Sequence, residues 1–541
     1  MLAVLFILAA VVFLAGYRLY GRFMSRVYAL DDANVPPSEE FSDGVDYCPT
    51  HPAVLAGHHF ASIAGAGPIV GPIAAAALFG WLPAFVWCVI GSVFIGGPHD
   101  MGALAASMRH RGKSIGEVID HWMGRRAKQL FLSFTWLALM LVVAVFLQLS
   151  AKTLADDPAV AFSSMLYILL ALIFGLVVNR FRVPLWAATL VMVPIVIGAV
   201  WYGARAEWVQ ETFVLSLETW RFVLIFYIFV ASVLPVWLLL QPRDYLASYM
   251  LYVAVAIGAI GMVYGAGRFD IALPAVTTFK PDPDKAEYLW PSLFIIVACG
   301  AVSGFHSLVS SGTTSKQLRK ETDTALIGYG SMLLEGLLAV IAIGTVMMSG
   351  SLIGDDALKT FGEGFGKFAA LIGIRPAIGV SLGLLAINSF LLTTLDTATR
   401  LGRYQLQELS NMKLDRFSAT IIGVVGAAAL LLVQTGDVPA WKRIWPAFGA
   451  SNQLVAALAL LGVSMWVIKG LKRNAAFLLA PMAFMLVTTL AGLFLLIKTN
   501  WASHTYLLVG VSVVLLGLAL MLLREALRAL RKTAPAEEAE K

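Results

Sequence analysis

The chain alternates long apolar stretches with short polar connectors, many of them basic. Runs of about 17–25 apolar residues, the length that crosses a bilayer as a helix, recur about fifteen times. The first covers 2–16, and the next fall near 53–79, 81–106, 129–150, 161–178, 183–203, 219–240, 245–265 and 291–312. The remainder lie near 324–349, 373–395, 417–434, 444–468, 475–497 and 504–523. In hydrocarbon a helix satisfies every backbone donor and acceptor within its own segment. The pattern therefore predicts an all-α polytopic membrane protein.

Two of these runs are interrupted. The second contains His58-His59-Phe60-Ala61-Ser62-Ile63-Ala64-Gly65-Ala66-Gly67-Pro68-Ile69-Val70-Gly71-Pro72. Proline removes a backbone donor and clashes with the preceding turn, and glycine loosens what remains, so the helix is expected to break near Gly65. The ninth contains Ala298-Cys299-Gly300-Ala301-Val302-Ser303-Gly304-Phe305-His306-Ser307, small and polar where a lipid-facing helix is rich in leucine, and continues as Ser310-Ser311-Gly312-Thr313-Thr314-Ser315. The two spans run in opposite directions. Oppositely directed broken helices mark inverted-repeat transporters, with the substrate held between the breaks. A proline kink that only shapes packing, or small residues for close helix approach, are the plainer readings. The halves show no residue-by-residue similarity, so the repeat rests on topology.

Lys and Arg set the orientation. Most of the 39 fall in alternate connectors, including Arg109, Arg111, Lys113, Arg125, Arg126 and Lys128, then Lys316, Arg319 and Lys320, and finally Arg524, Arg528, Arg531 and Lys532. The positive-inside rule places these in the cytoplasm. The first run has Arg18, Arg22 and Arg26 after it and no cation before it, the reverse of a signal peptide, so it reads as a retained span with its N-terminus outside. One transporter domain is expected over 1–500, with 501–541 the last span and a charged cytoplasmic tail. Two outer connectors are long, 266–290 with Pro274, Pro281 and Pro283, and the glycine-rich 350–372; gating caps and polar connectors are the two readings.

Composition agrees: 59% of the residues are hydrophobic and 13% charged, about half the charged fraction of a soluble domain. The net charge of +6 reflects cations at span ends, not a nucleic-acid surface. No soluble stretch is long enough for a cytosolic catalytic or DNA-binding domain, and no phosphate-binding loop points to ATP-driven pumping. Cys48, Cys88 and Cys299 are far apart and form no disulfide framework or CxxC motif. No cofactor is expected. The partners expected are a small-molecule substrate, a proton and the bilayer.

The half-helix beginning near Ile69 is expected to turn its free N–H groups and positive dipole end toward the middle of the membrane, which favours a carboxylate. The candidate substrate site is Ser62, Gly65, Ala66, Gly67, Pro68, Ser303, Gly304, His306 and Ser307. Metal cations stay open as substrates. Glu335 lies halfway along the tenth span, where desolvation disfavours its charge; proton coupling and a hydrogen bond to a neighbouring helix are its two readings. His99 and Asp100 follow Gly96-Gly97-Pro98, read as a third break. The second and third spans form a hairpin turning near Gly80, so His58, His59, His99 and Asp100 are expected at one depth. That cluster reads as a proton relay, as a metal site including Cys48 and His51 with His58 and His59, or as a gate held by hydrogen bonds. Asp396 and Arg400 are expected to pair at i, i+4.

Several of these stretches together resemble the carbon starvation protein A (CstA) family: 58–72, Gly97-Pro98-His99-Asp100, Gln241-Pro242-Arg243-Asp244-Tyr245, Ser303-Gly304-Phe305-His306-Ser307, Leu395-Asp396-Thr397-Ala398-Thr399-Arg400 and Phe448-Gly449-Ala450-Ser451-Asn452-Gln453. The likeness runs over about 1–500. It implies a bacterial inner-membrane carrier for peptides or pyruvate, with the LeuT-like inverted repeat and two discontinuous helices of the amino acid–polyamine–organocation transporters. A proton symporter is thus the expected function, with a nutrient-sensing receptor or channel as the alternative. An intramembrane metalloenzyme is disfavoured because HExxH is missing.

Overall fold

The computed structural model describes residues 1–43, 47–235, 238–280, 288–431 and 440–531. Among them, twelve helices are long and apolar enough to cross a membrane, and the bent pair Pro52–Ile63 and Gly67–Phe79 makes a thirteenth span if counted as one. Helices Leu217–Val233 and Arg416–Leu431 occupy two further expected positions. Their described lengths are 17 and 16 residues, the second ending where the described residues stop, so the count of fifteen is not reached among the described residues. Pro281, Pro283, Lys532 and the tail 535–541 lie outside the described residues.

Burial separates scaffold from periphery. In the most apolar 18-residue stretch of Lys442–Gly470, 94% of the residues are buried, and in that of Ala325–Ser349 89%, whereas in that of Leu2–Val27 only 22% are, and Val4, Ile7, Leu8 and Val11 are exposed. The long helices Arg125–Asp156 and Pro376–Leu409 pack along each other through the centre. Ion pairs tie the connectors at each end. Arg109–Glu321 (2.8 Å) and Lys128–Glu408 (3.0 Å) join segments expected on the cytoplasmic side. Lys152–Asp356 (2.7 Å) and Lys442–Asp355 join segments expected outside.

Both interruptions are present in the backbone. Helix Pro52–Ile63 stops at Ala64, and a new helix starts at Gly67 with Pro68 in its first turn, where a missing N–H costs nothing; the two are bent by 46°. That helix ends at Gly80, whose φ of 92° turns the chain into the next span. The loop after Tyr264 is stitched over this turn, with Leu82 N–H donating to the Ala275 carbonyl at 2.9 Å. Farther on, helix Leu289–Val297 ends at Ala298, whose φ of 49° breaks the helical path, and helix Gly304–Gly312 begins after the extended Ser303.

One expectation fails here, and one of two open readings drops out. Residues 96–98 are no break: Trp81–Arg109 is one span, with a single wide turn at Ser92–Gly96 that absorbs the missing donor of Pro98. Segment 350–372 is not a plain connector, because Ala357–Ala370 is a helix packed on Pro376–Leu409 with Phe361, Phe365 and Phe368 buried.

Candidate functional site

The two breaks touch. A Cβ on Gly67 would sit 2.5 Å from Cys299 Sγ, Gly71 lies against the Ile296 and Val297 carbonyls, and Gly300 against Pro72. Only glycine allows this approach. Beside the contact lies a small apolar cavity bordered by Ile63, Gly65, Phe146, Cys299, Phe305 and Thr394. The Thr394 hydroxyl is buried there without a hydrogen-bond partner.

Helix Ala440–Met465 braces the second break. Asn452 Oδ1 accepts from Phe305 N–H at 2.9 Å, at the start of the half-helix, and Asn452 Nδ2 donates to Ser303 Oγ at 3.0 Å. Trp445 Nε1 donates to the Ile296 carbonyl at 3.3 Å, and Gln453 Nε2 to that of Phe294. Unwound backbone inside a membrane protein requires such partners.

Four fully buried groups line up from the third span to the tenth. His99 Nδ1 is 2.6 Å from Asp100 Oδ1, Asp100 Oδ2 is 2.7 Å from His306 Nδ1, and His306 Nε2 is 3.3 Å from Glu335 Oε2. A carboxylate between two imidazoles accepts from both, which leaves His306 Nε2 facing Glu335.

A second buried network surrounds Arg243. Its guanidinium meets Asp396 directly, Asp244 Oδ1 at 3.2 Å and the Tyr227 hydroxyl at 2.6 Å. Asp244 Oδ2 in turn is 3.2 Å from His58 Nδ1 and accepts from Ser62 Oγ at 3.2 Å. This network binds the helix before the first break to helices Leu240–Tyr264 and Pro376–Leu409.

The sequence profile of the family described as Carbon starvation protein CstA matches residues 1–353 and 352–492. The chain belongs to the CstA family. Among relatives, the peptide transporter CstA of Campylobacter jejuni is 33% identical, over 91% of this chain and 80% of its own. The pyruvate/proton symporter BtsT of Escherichia coli K12 is 32% identical over the same shares. A mutant of the Eremococcus coleocola manganese transporter superposes with a TM-score of 0.51 at 11% identity, covering 90% of this chain and 99% of that one; the likeness is one of fold. Family membership makes the chain a secondary transporter of the membrane, not an enzyme.

On this CstA-family chain the expected site residues are partly regrouped. His99 and Asp100 join His306 and Glu335, whereas His58 is held by Asp244, and His59 Nδ1 by Thr314 Oγ1 at 2.8 Å. The hydroxyls of Ser62, Ser303 and Ser307 are already engaged, Ser307 donating to the Gly304 carbonyl at 2.7 Å. The metal set Cys48, His51, His58 and His59 does not assemble. His51 is exposed and caps its helix by accepting from Ala53 N–H, about two turns of helix before His58 and His59, and Cys48 pairs its backbone with Lys316. The Asp396–Arg400 pair is also overturned: Asp396 reaches Arg243 and Tyr227, and Arg400 donates to the Ala231 and Leu234 carbonyls. Arg243, Asp244, Tyr227, Cys299 and Asn452 lie outside the site expected from the sequence. For Arg243 and Asp244 the signal lay in Gln241-Pro242-Arg243-Asp244-Tyr245, two adjacent charges at a span start.

Proposed function

We propose that this chain is a proton-coupled importer of short peptides or small carboxylates such as pyruvate. The observation that carries this is the buried line His99–Asp100–His306–Glu335, which ends beside the place where the two broken helices meet. In this reading Glu335 carries the coupling proton and exchanges it with His306, because a bare charge on either is costly in a dry interior unless the other offsets it. His58 and His59 on the first half-helix, held by Asp244 and Thr314, are the alternative proton carriers outside this line. Substrate sits between the breaks against Ser62, Gly65, Ala66, Gly67, Pro68, Ser303, Gly304, His306 and Ser307. The N-terminal end of Gly67–Phe79 favours its carboxylate. The names of the two relatives, one for peptides and one for pyruvate with protons, support this substrate class.

The topology proposed with it has fifteen spans, two discontinuous helices in an inverted repeat, a periplasmic N-terminus and a cytoplasmic C-terminus in a bacterial inner membrane. Residues 1–500 form the transporter domain, and 501–541 the last span and tail. The excess of Lys and Arg in alternate connectors supports this sidedness. The test is uptake into proteoliposomes of radiolabelled pyruvate, alanine and dipeptides. Accumulation of one class that collapses with the proton gradient is expected; gradient-independent equilibration would overturn the symport reading.

A further inference from the structure

We propose that Cys299, His306 and Glu335 form a binding site for a divalent transition metal ion of the Zn²⁺ type. The thiol, a ring nitrogen of His306 and a carboxylate oxygen all lie within 4.8 Å of one another, and the three residues are buried. His306 Nε2 and Glu335 Oε2 face each other at 3.3 Å, and Glu335 Oε1 is buried without a hydrogen-bond partner. The other nitrogen of His306 is fixed by Asp100 at 2.7 Å, the carboxylate–histidine arrangement that aims a ring lone pair at a metal. The Cys299 thiol reaches Ser303 Oγ at 3.3 Å and Asn452 Nδ2 at 3.5 Å, long contacts that a metal can replace. Sulfur, nitrogen and oxygen donors converging on one point suit Zn²⁺ and leave a fourth tetrahedral position open. On binding, the thiol proton, and that of the Glu335 carboxyl where present, leave to water. The thiolate and carboxylate then offset the charge of the ion.

The three donors sit on separate elements: the unwound stretch at Cys299, half-helix Gly304–Gly312 and helix Ser331–Ser349. A bound ion ties all three together beside Gly67. It also occupies the group assigned to the coupling proton, so Zn²⁺ acts as an inhibitor. This last step alone rests on the proposed function.

The test uses purified full-length protein in micelles, stripped with a chelator and titrated with Co²⁺. One equivalent should bring up the thiolate-to-metal charge-transfer band in the near ultraviolet, and Zn²⁺ should bleach it. Cys299→Ser should abolish the band, while Cys88→Ser should keep it. A wild type without the band, or a band that persists in Cys299→Ser, overturns the site. Should Cys299→Ser fail to fold, Glu335→Gln decides: affinity must fall by at least the ~10-fold that loss of an outer-shell partner costs, and unchanged affinity overturns the site. In proteoliposomes, Zn²⁺ at saturating concentration should block uptake. Undiminished uptake overturns inhibition and leaves symport standing. A wild type that shows the Co²⁺ band but no gradient-driven uptake overturns the functional reading and leaves the metal site standing.

Discussion

His306 Nδ1 lies 2.7 Å from Asp100 Oδ2, and this one contact determines what the other side of the ring can do. With Nδ1–H donated to the carboxylate, Nε2 carries the lone pair and points toward Glu335 at 3.3 Å. The relationship joins residues 206 positions apart and makes one unit of a histidine in the broken ninth span and a carboxylate in the tenth.

Glu335→Gln tests that unit. The amide keeps the volume and mimics the protonated acid but cannot release a proton. The variant is expected to exchange labelled for unlabelled substrate at close to the wild-type rate while failing to concentrate it. Wild-type accumulation in proteoliposomes would move the coupling role to His58, His59, His99 or Asp100.

Gly67→Ala probes the contact between the breaks. Its methyl would stand 2.5 Å from Cys299 Sγ and 2.6 Å from Cys299 Cβ, closer than real side chains approach. Overpacking of this kind costs about 1–3 kcal/mol, and here the strain falls on the two segments proposed to hold substrate. Uptake should drop by about tenfold or more with normal membrane insertion, and Gly67→Leu should abolish it. Near-normal uptake by Gly67→Leu would reject the site.

The first break was legible because its cause is local: Gly65, Gly67 and Pro68 act on their own backbone wherever the chain folds. The second showed through the small residues around Cys299. What was not legible depends on distant partners. Arg243 and Asp396 are 153 residues apart; charge at the edge of an apolar run placed both at span ends, and only tertiary packing reveals that each offsets the other. Helix Ala357–Ala370 was hidden by its glycines Gly362, Gly364 and Gly366, which lower intrinsic helicity. In the fold they let the helix press against Thr345 and Val380.

Asp396→Asn measures the Arg243 network. Removing one partner of a buried pair leaves an uncompensated charge and costs about 3–5 kcal/mol. Thermal unfolding in micelles should fall markedly, and Arg243→Lys should not be a mild change, because a single ammonium cannot reproduce the contacts of the guanidinium with Asp396, Asp244 and Tyr227. A melting temperature within a degree of wild type in Asp396→Asn would show the pair to be energetically idle.

Just beyond span Trp81–Arg109, at the end expected to be cytoplasmic, His110 donates from Nδ1 to the Ala106 carbonyl at 2.6 Å and accepts at Nε2 from Trp122 Nε1 at 3.0 Å. Burial first, then His121 and Lys113, hold its pKa below the usual 6.5, against the opposing pull of that carbonyl. A group whose folded pKa is depressed stabilises above its unfolded value and loses that contribution as pH falls. Stability should therefore decline as pH drops below 6.5, and His110→Gln, which can still donate and accept, should flatten the decline. A profile unchanged by the substitution would assign the acid sensitivity elsewhere.

Asn452 offers the sharpest test of whether the second break is held from outside itself. Its side chain accepts from Phe305 N–H and donates to Ser303 Oγ, so one amide closes both lips of the unwound stretch. Asn452→Leu keeps roughly the same bulk and leaves a buried backbone donor unpaired, a cost of about 1–3 kcal/mol. Because the loss is local, it should appear first as easier opening of this stretch. A drop of about 1.4 kcal/mol in opening free energy raises the open population tenfold. Cys299, which the Asn452 amide reaches at 3.5 Å, reports that opening. In a background with Cys48 and Cys88 replaced, alkylation of Cys299 by a small maleimide should speed up about tenfold in Asn452→Leu, and substrate should slow it again. Equal rates in the two proteins would mean that the break holds its shape without the brace.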